Sequence, residues 1–265
     1  MRYYVVSDVH GFYTPLMKAL TEAGYFADST PHRLVVCGDL LDRGKEAVKM
    51  QDFVLGLMEC NETILIRGNH EDLFEELVTI DKGLPFSHHL QNGTYGTALQ
   101  LTGLASGEAM VQNFAFADAA RKTPYYRTII PATRDYYETE RYIFVHGWIP
   151  SVRERNGGCS YIANWREASE QEWRRAQWYN GILAARTATD ENKTIVCGHW
   201  HTSYGHSRFE KKGPEFGEDA DFSPYYAPGM IALDACTTRS GFVNCIVLED
   251  DEEEQHERQE TCRLH

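Results

Sequence analysis

Arg33-Leu34-Val35-Val36-Cys37-Gly38-Asp39-Leu40-Leu41-Asp42-Arg43-Gly44 decides the fold. A strand-type apolar run ends abruptly in a glycine and a set of charged groups. A helical pattern follows from Lys45 to Met58, with Val48, Phe53, Val54, Leu57 and Met58 as its apolar stripe. The same unit stands on either side. Tyr3 to Ser7 leads into Asp8-Val9-His10-Gly11 and a helix from about Tyr13 to Ala23, and Glu62 to Ile66 leads into Arg67-Gly68-Asn69-His70-Glu71 and a helix from about His70 to Thr79. Strand and helix repeated three times predict parallel strands joined by right-handed crossovers. The polar clusters then collect at the carboxyl edge of one sheet, where open α/β sheets place their ligands.

Beyond Asp81 the pattern changes. Two helical segments, Asn92 to Leu104 and Glu108 to Lys122, occur without intervening strands, which predicts a helical insertion over about 81–134. Strands resume at Thr133 to Glu138 and Arg141 to His146, with Glu140 in the tight turn of a hairpin. Glu170 to Ala185 reads as helix, and Thr194 to Cys197, Met230 to Leu233 and Phe242 to Leu248 read as strands. The stretch 202–229 is polar, rich in Gly, Pro and Tyr, and lacks periodicity. A loop of that length following a polar motif is expected to face substrate. Residues 1–248 are therefore expected to form a single domain.

Composition narrows the function. The chain has 265 residues and a net charge of -13, of which -6 falls in Glu249 to His265, an acidic tail expected to be disordered. The acidic balance argues against general nucleic-acid binding, because phosphate repulsion would oppose it. No run of 18 apolar residues suggests a membrane span, and the start lacks the features of a signal peptide. The seven cysteines are scattered, odd in number and without a CxxC pair. Cys37, Cys197, Cys236 and Cys245 lie in apolar runs and look like small buried residues, so a reducing cytoplasm is the expected compartment.

The polar motifs recur at strand ends from Asp8 to His201, adding His146-Gly147 and Gly198-His199-Trp200-His201. Carboxylate, imidazole and carboxamide donors without thiolate suit two divalent metals side by side. Asp8 and His10, two apart, would share one face of a continuing strand. Asp39, after a glycine that permits a sharp turn, could bridge two cations through its two oxygens. Asn69 offers a neutral carbonyl oxygen. One ion would take Asp8, His10 and Asp39, and the other Asp39, Asn69, His146 and His199. Two ions roughly 3.5–4 Å apart are a known arrangement for phosphate-ester hydrolysis.

DxHG (Asp8 to Gly11), GDxxDRG (Gly38 to Gly44), RGNHE (Arg67 to Glu71), HG (His146, Gly147) and GH (Gly198, His199) together resemble the metallophosphoesterase, or calcineurin-like, superfamily. Within it the motifs are closest to the serine/threonine phosphoprotein phosphatases of bacterial and phage type. Ala232-Leu233-Asp234-Ala235-Cys236 resembles the closing strand of that fold. The resemblance implies an α/β sandwich of two mixed β-sheets flanked by helices. It also implies a phosphomonoesterase with two divalent ions, manganese first and iron or zinc otherwise, acting on phosphoserine, phosphothreonine or phosphotyrosine. His70 would be the general acid and Asp42 would orient it, while Arg43 and Arg67 would clamp phosphate oxygens. The nucleophile would be water or hydroxide bridging the metals, with no phosphoenzyme.

Two departures accompany the resemblance. His201 makes the last motif GHxH, as in nucleases and phosphodiesterases of the wider superfamily. It is either a further ligand to the first ion or a histidine outside the ligand set. The third clamping arginine is expected within Trp173-Arg174-Arg175-Ala176-Gln177-Trp178, with Arg175 as first choice and a plain surface arginine as the alternative. His88, His89 and His206 are expected to be exposed loop histidines. Glu71 is expected behind the ligands or at the helix N-terminus. Tyr125, Tyr126, Tyr136, Tyr137, Tyr225 and Tyr226 either pack under the insertion or line a groove. Bacterial diadenosine tetraphosphatases resemble the same motifs, so a dinucleoside polyphosphate hydrolase is the alternative activity. A phosphodiesterase and an inactive metal-binding scaffold are further alternatives. Asp42 favours the phosphatase, because the dinucleotide hydrolases often lack that carboxylate. The expected partner is a phosphorylated protein or small phosphoester.

Overall fold

The computed structural model describes residues 1–153, 159–190 and 192–250. β1 (Arg2–Val6), β2 (His32–Cys37) and β3 (Thr63–Ile66) run parallel, with Val5 opposite Val35 and Val35 opposite Ile64. α1 (Tyr13–Glu22) and α2 (Ala47–Glu59) are the crossovers, and α3 (Asn69–Glu75) leaves the end of β3. A π-helical turn, Glu76–Ile80, extends α3 to the length read from the sequence.

The insertion is more broken than its periodicity suggests. It consists of α4 (Ser87–Gln91), α5 (Thr94–Thr102), α6 (Ser106–Val111), α7 (Asn113–Ala120), a π-helical turn (Tyr125–Ile129) and α8 (Ile130–Ala132). Gly93 and Gly103, both left-handed at φ 86° and 69°, interrupt the run where a continuous helix would need φ near -60°. Its Tyr95, Ala98, Phe116, Ala120 and Ile129 join Leu16, Leu20, Met50 and Val54 in one outer core.

The second sheet has the order β4-β5-β8-β10-β9. The hairpin β4 (Tyr137–Glu138) and β5 (Tyr142–Phe144) is antiparallel; a separate antiparallel hairpin, β6 (Ser151–Arg153) and β7 (Cys159–Tyr161), lies where the sequence pattern predicts no strand. After α9 (Glu170–Ala176) and α10 (Gly181–Ala184), β8 (Thr194–Cys197) lies parallel to β5. The stretch read as a loop over 202–229 contains α11 (Thr202–Gly205), a π-helical turn (His206–Glu210) and β9 (Tyr225–Ala227), an edge strand antiparallel to β10 (Met230–Ala232). α12 (Thr237–Ser240) precedes β11 (Cys245–Glu249), which returns antiparallel to β1. Both sheets are mixed.

Strand alternation explains the layering. Tyr3, Val5, Val35 and Ile64 face Tyr137, Phe144, Val196 and Ile231 between the sheets, while Tyr4, Val6, Leu34 and Val36 face α1 and α2. On the far side Ile143, Val145, Ile195 and Cys197 pack under Trp148, Trp165 and Trp173. Each fully buried large apolar side chain contributes about 1.5–3 kcal/mol, so all three layers contribute, the outer core under α1, α2 and the insertion most of all. Helices on the outer faces complete a sandwich of two mixed sheets.

Glu249 and Asp250, expected in the acidic tail, belong to the folded chain. Glu249 ends β11 and pairs with Arg2 at 2.6 Å. Asp250 is buried and accepts from Arg141 N at 2.6 Å and Thr139 Oγ1 at 2.7 Å. Residues 251–265 lie outside the described residues. No helix among the described residues is long and apolar enough to cross a membrane.

Candidate active site

The strand ends carry unusual backbone. Asp8 (φ 51°), His10 (51°), Asp39 (53°), Asp42 (77°), Arg43 (63°), His199 (63°) and Cys236 (49°) are all left-handed. Non-glycine residues bear that strain mainly where the surroundings over-determine it, and such strain clusters at functional sites. Gly38, at φ 81°, stands where a Cβ would collide with the His146 ring; at Gly198 a Cβ would collide with Ser7 and Asp8. These two glycines let the sheet edges close upon each other.

Asp39 is the centre of the arrangement. It is buried, and its two oxygens face different partners: Oδ1 lies 3.3 Å from His146 Nε2, and Oδ2 lies 3.8 Å from His10 Nε2 and 3.7 Å from His70 Nε2. His10, Asp39 and His70 form one group of converging donor atoms, and Asp39, His146 and His199 form another. Asn69 Oδ1 lies 2.9 Å from His146 Nε2. His146 Nδ1 donates to the Cys37 carbonyl at 2.8 Å, and His10 Nδ1 to the Leu41 carbonyl at 3.1 Å. Both rings therefore present an Nε2 lone pair inward when neutral. Asp8 Oδ2 accepts from Ser7 Oγ and from His199 N at 2.9 Å, which places it against the second group.

Burial governs the charges. It pushes the Asp8 carboxyl up to about 6, with Asp39 adding to the rise. His199 is pushed down to about 3 and His10 well below its ordinary range, mainly by burial, so both rings are neutral. Burial opposes charge on His146, yet Asp39 and then Asp8 carry it up to about 10. Asp39 itself is also opposed by burial, but His146, His70 and His10 hold it well below the usual carboxylate range.

Beside these donors stands a hydrogen-bonded series. His70 Nδ1 donates to Asp42 Oδ2 at 2.7 Å, and the same oxygen accepts from Thr94 Oγ1 at 2.6 Å. Arg43 Nη2 lies 3.2 Å from His70 Nε2. Thr94 comes from α5, and nothing in its sequence context marks it. Glu71 lies behind the loops: Oε2 accepts from Gly68 N (2.8 Å) and Asp39 N (3.1 Å), and Oε1 from Leu40 N (3.1 Å) and Tyr125 Oη (3.0 Å). Tyr125 thus packs under the insertion, Tyr137 lies between the sheets, and Tyr226 is exposed.

Other expected residues sit apart from the convergence. Arg67 donates to Asp72 at 2.7 Å and pairs with Glu75, at the edge of a cavity of about 420 Å³ also lined by Arg174. Arg175 lines a different cavity with Ser151, Val152 and Ile162. Arg174, one residue earlier on α9, borders a groove of about 450 Å³ with Asn69, Glu76, Tyr126 and Trp178. A helix turns 100° per residue, so neighbours face apart. His201 belongs to neither donor group; its Nδ1 meets Ser203 Oγ at 2.9 Å and its Nε2 lies 3.4 Å from Glu215. His206 and His89 are buried rather than exposed, and His88 and His89 lie in α4 rather than a loop. Asp234 is a further buried carboxylate, pushed well up by burial and then by Asp8. Its place at the end of an apolar run repeats the pattern of Asp8 and Asp39.

The donor set fits two divalent cations. Three buried carboxylates (Asp8, Asp39, Asp234) face one another's charge, which is costly without positive charge between them. Asp39 presents one oxygen to each group, and the neutral imidazoles are in the ligating form.

Comparison with known proteins agrees with this chemistry. Residues 1–220 match the family model described as calcineurin-like phosphoesterase. The asymmetrical bis(5'-nucleosyl)-tetraphosphatase PrpE of Bacillus velezensis is 30% identical over 132 residues, 48% of this chain and 51% of that protein. Serine/threonine-protein phosphatase 1 of Salmonella typhimurium is 37% identical over 70 residues, 26% of this chain and 30% of that protein. The chain spans about half the length, or less, of these curated relatives. A solved structure described as a putative diadenosine tetraphosphatase shares the fold, with TM-score 0.51 and 15% identity over 93% of this chain and 89% of that one.

Proposed function

The chain belongs to the calcineurin-like phosphoesterase family, and from that premise we propose that it hydrolyses phosphomonoesters, as a serine/threonine or dual-specificity protein phosphatase. The observation that carries the reading is the series Thr94–Asp42–His70–Arg43 set beside the donors that share Asp39. Asp8, His10, Asp39, Asn69, His146 and His199 would hold two divalent ions, manganese first and iron or zinc otherwise. When bound, these ions supply charge to the phosphoryl group and lower the pKa of the attacking water.

The protein's own residues do the rest. Asp42 fixes the proton on His70 Nδ1, which leaves Nε2 facing the site. Burial disfavours charge on His70, but Asp39 and then Asp42 raise its pKa above the ordinary value. Once Arg43 turns from Nε2 to a phosphoryl oxygen, Nε2 is free to hold a proton and pass it to the leaving oxygen as the P–O bond breaks, while water oxygen bonds to phosphorus. The products are an alcohol and inorganic phosphate. Arg43, whose guanidinium reaches His70 Nε2, is placed to donate to a phosphoryl oxygen. Arg67 or Arg174 would complete the clamp from the adjoining cavities. The chain up to Asp250 acts as one catalytic domain in this reading. The free thiols Cys37, Cys60, Cys197, Cys236 and Cys245 support a reducing cytoplasm.

A second reading has equal support from relatives: hydrolysis of dinucleoside polyphosphates, the activity in the name of the Bacillus protein. Trp178, half exposed beside the groove and 5.7 Å from the His199 ring, offers a surface on which a base could stack. The experiment is hydrolysis of p-nitrophenyl phosphate, bis-p-nitrophenyl phosphate, a phosphopeptide and diadenosine tetraphosphate with manganese, each with His70→Asn. Monoester and phosphopeptide turnover that collapses in the variant supports the phosphatase. Selective dinucleotide turnover moves the assignment to the second reading, and diester preference to a phosphodiesterase. No turnover of any substrate by metal-loaded protein refutes both and leaves a scaffold.

A further inference from the structure

The helical insertion carries a second cluster of metal-type donors that shares no residue with the Asp39 centre. Glu76 opens the π-helical turn after α3, Asp81 directly follows that turn, and His88 and His89 begin α4. One donor atom of each lies within 4.8 Å of the others. His88 Nε2 is 3.4 Å from Glu76 Oε1, His89 Nε2 is 3.7 Å from Asp81 Oδ2, and the two imidazole centroids are 4.0 Å apart.

A second, independent observation singles out this cluster. His89 is fully buried, and His89 Nε2, His88 Nε2 and Asp81 Oδ2 are buried atoms without a hydrogen-bond partner. Orphaned buried polar atoms are rare. Here three of them lie together, with His89 Nε2 3.7 Å from Asp81 Oδ2, beyond hydrogen-bond reach, and donor atoms of all four residues within 4.8 Å of one another, a spacing open to a shared ion.

We propose that Glu76, Asp81, His88 and His89 form a third cation site, of two imidazoles and two carboxylates, suited to Zn2+. Two nitrogen and two oxygen donors match tetrahedral zinc. Ligation through His89 Nε2 requires the proton on Nδ1, where Phe86 N now donates at 3.2 Å. Capture of the ion therefore gives up that bond and turns the Phe86 N–H to water, at a residue already half exposed. The ion would tie the π-helical turn on the groove rim to α4. α4 runs directly into α5, which carries Thr94, so occupancy orders the insertion next to Asp42. The site is structural, and its existence does not depend on which phosphoester the protein hydrolyses.

The test counts ions on the full chain by native mass spectrometry, after chelator stripping and reloading with Zn2+ alone. Glu76→Gln with His88→Gln is the variant, because both side chains are partly exposed and the fold should survive, as near-ultraviolet circular dichroism checks. We expect this variant to hold one ion fewer than the parent. In an Asp39→Asn, His199→Gln background one Zn2+ should remain, and adding the Glu76 and His88 substitutions should weaken it about 100-fold in competition with a chromogenic chelator. Co2+ in that remaining site should show the visible absorption of a tetrahedral centre. An unchanged ion count in the Glu76, His88 variant, or no ion in the Asp39, His199 background, overturns the proposal.

Discussion

Glu71 offers the sharpest test of how the site is held together. Among the described residues its carboxylate is the acceptor for four buried donors: the Gly68, Asp39 and Leu40 amides and the Tyr125 hydroxyl, at 2.8–3.1 Å. Two of these amides lie in the loop after β2, one in the loop after β3, and the hydroxyl in the insertion. Glu71→Ala strands all four, and a stranded buried donor costs about 1–3 kcal/mol. Burial and the nearby Asp39 push the Glu71 carboxyl up, so removing its charge recovers part of the loss. The expected net destabilisation is about 3–5 kcal/mol, a large share of the roughly 5–15 kcal/mol typical of a folded domain. Glu71→Gln should be milder. Its amide NH2 can occupy the Oε1 position, where the Tyr125 hydroxyl can turn and accept, leaving only the Leu40 amide stranded at about 1–3 kcal/mol. Tyr125→Phe removes that escape, so in the Glu71→Gln background it should cost more than in the parent, by about 0.5–3 kcal/mol of coupling. The assay is urea unfolding followed by circular dichroism, with chelator present so that bound metal adds nothing by mass action. Equal costs for Glu71→Ala and Glu71→Gln, or strict additivity with Tyr125→Phe, would refute the argument.

Further expectations follow from other contacts. His70→Asn should lower monoester hydrolysis by about 10²–10⁴-fold at unchanged metal content; a loss under tenfold in initial rate removes His70 from proton transfer. Gly38→Ala places a Cβ against the His146 ring at φ 81°, and should cost about 1–3 kcal/mol by overpacking, together with metal affinity, read from thermal unfolding and ion counts. His201→Ala should leave the ions of the Asp39 centre in place, because the ring is engaged by Ser203 and Glu215; loss of one of them would return His201 to the ligand set. Asp28 is held well below its ordinary range by the Thr30 hydroxyl and amide and by Arg2. A depressed folded pKa means that its stabilisation is present above the unfolded value of about 3.9 and is lost as pH falls through the folded value. Thermal midpoints measured from pH 6 to 2 should therefore fall less steeply below about 4 in Asp28→Asn than in the parent.

Much of this architecture is legible in the chain itself. β1, β2 and β3 end at Val6, Cys37 and Ile66, within a residue of the apolar runs, because a strand buried on both faces cannot tolerate the polar residue that follows. The parallel order came from helices of sufficient length between strands. The convergence of Asp8, His10, Asp39, Asn69, His70, His146 and His199 was legible because every motif closes a strand, and strands of the two sheets end at one edge. The insertion was legible as helical but not in its breaks, which depend on left-handed Gly93 and Gly103. β9 is not legible in the chain because an edge strand as short as Tyr225–Ala227 exists only by pairing with β10.

What the sequence determined by itself is therefore local and periodic: the strand–helix alternation, the polar strand ends and the donor types they carry. Tertiary structure decided everything that depends on direction across large sequence separations. It turned Arg174 rather than Arg175 to the groove, brought Thr94 onto Asp42 across 52 positions, and buried His89, which the sequence pattern predicts as an exposed loop histidine, beside Asp81 and His88. Periodicity reports which side of one element is apolar; it carries no information on which polar atoms of distant elements meet. That is set only when the two sheets and the insertion close on a shared core.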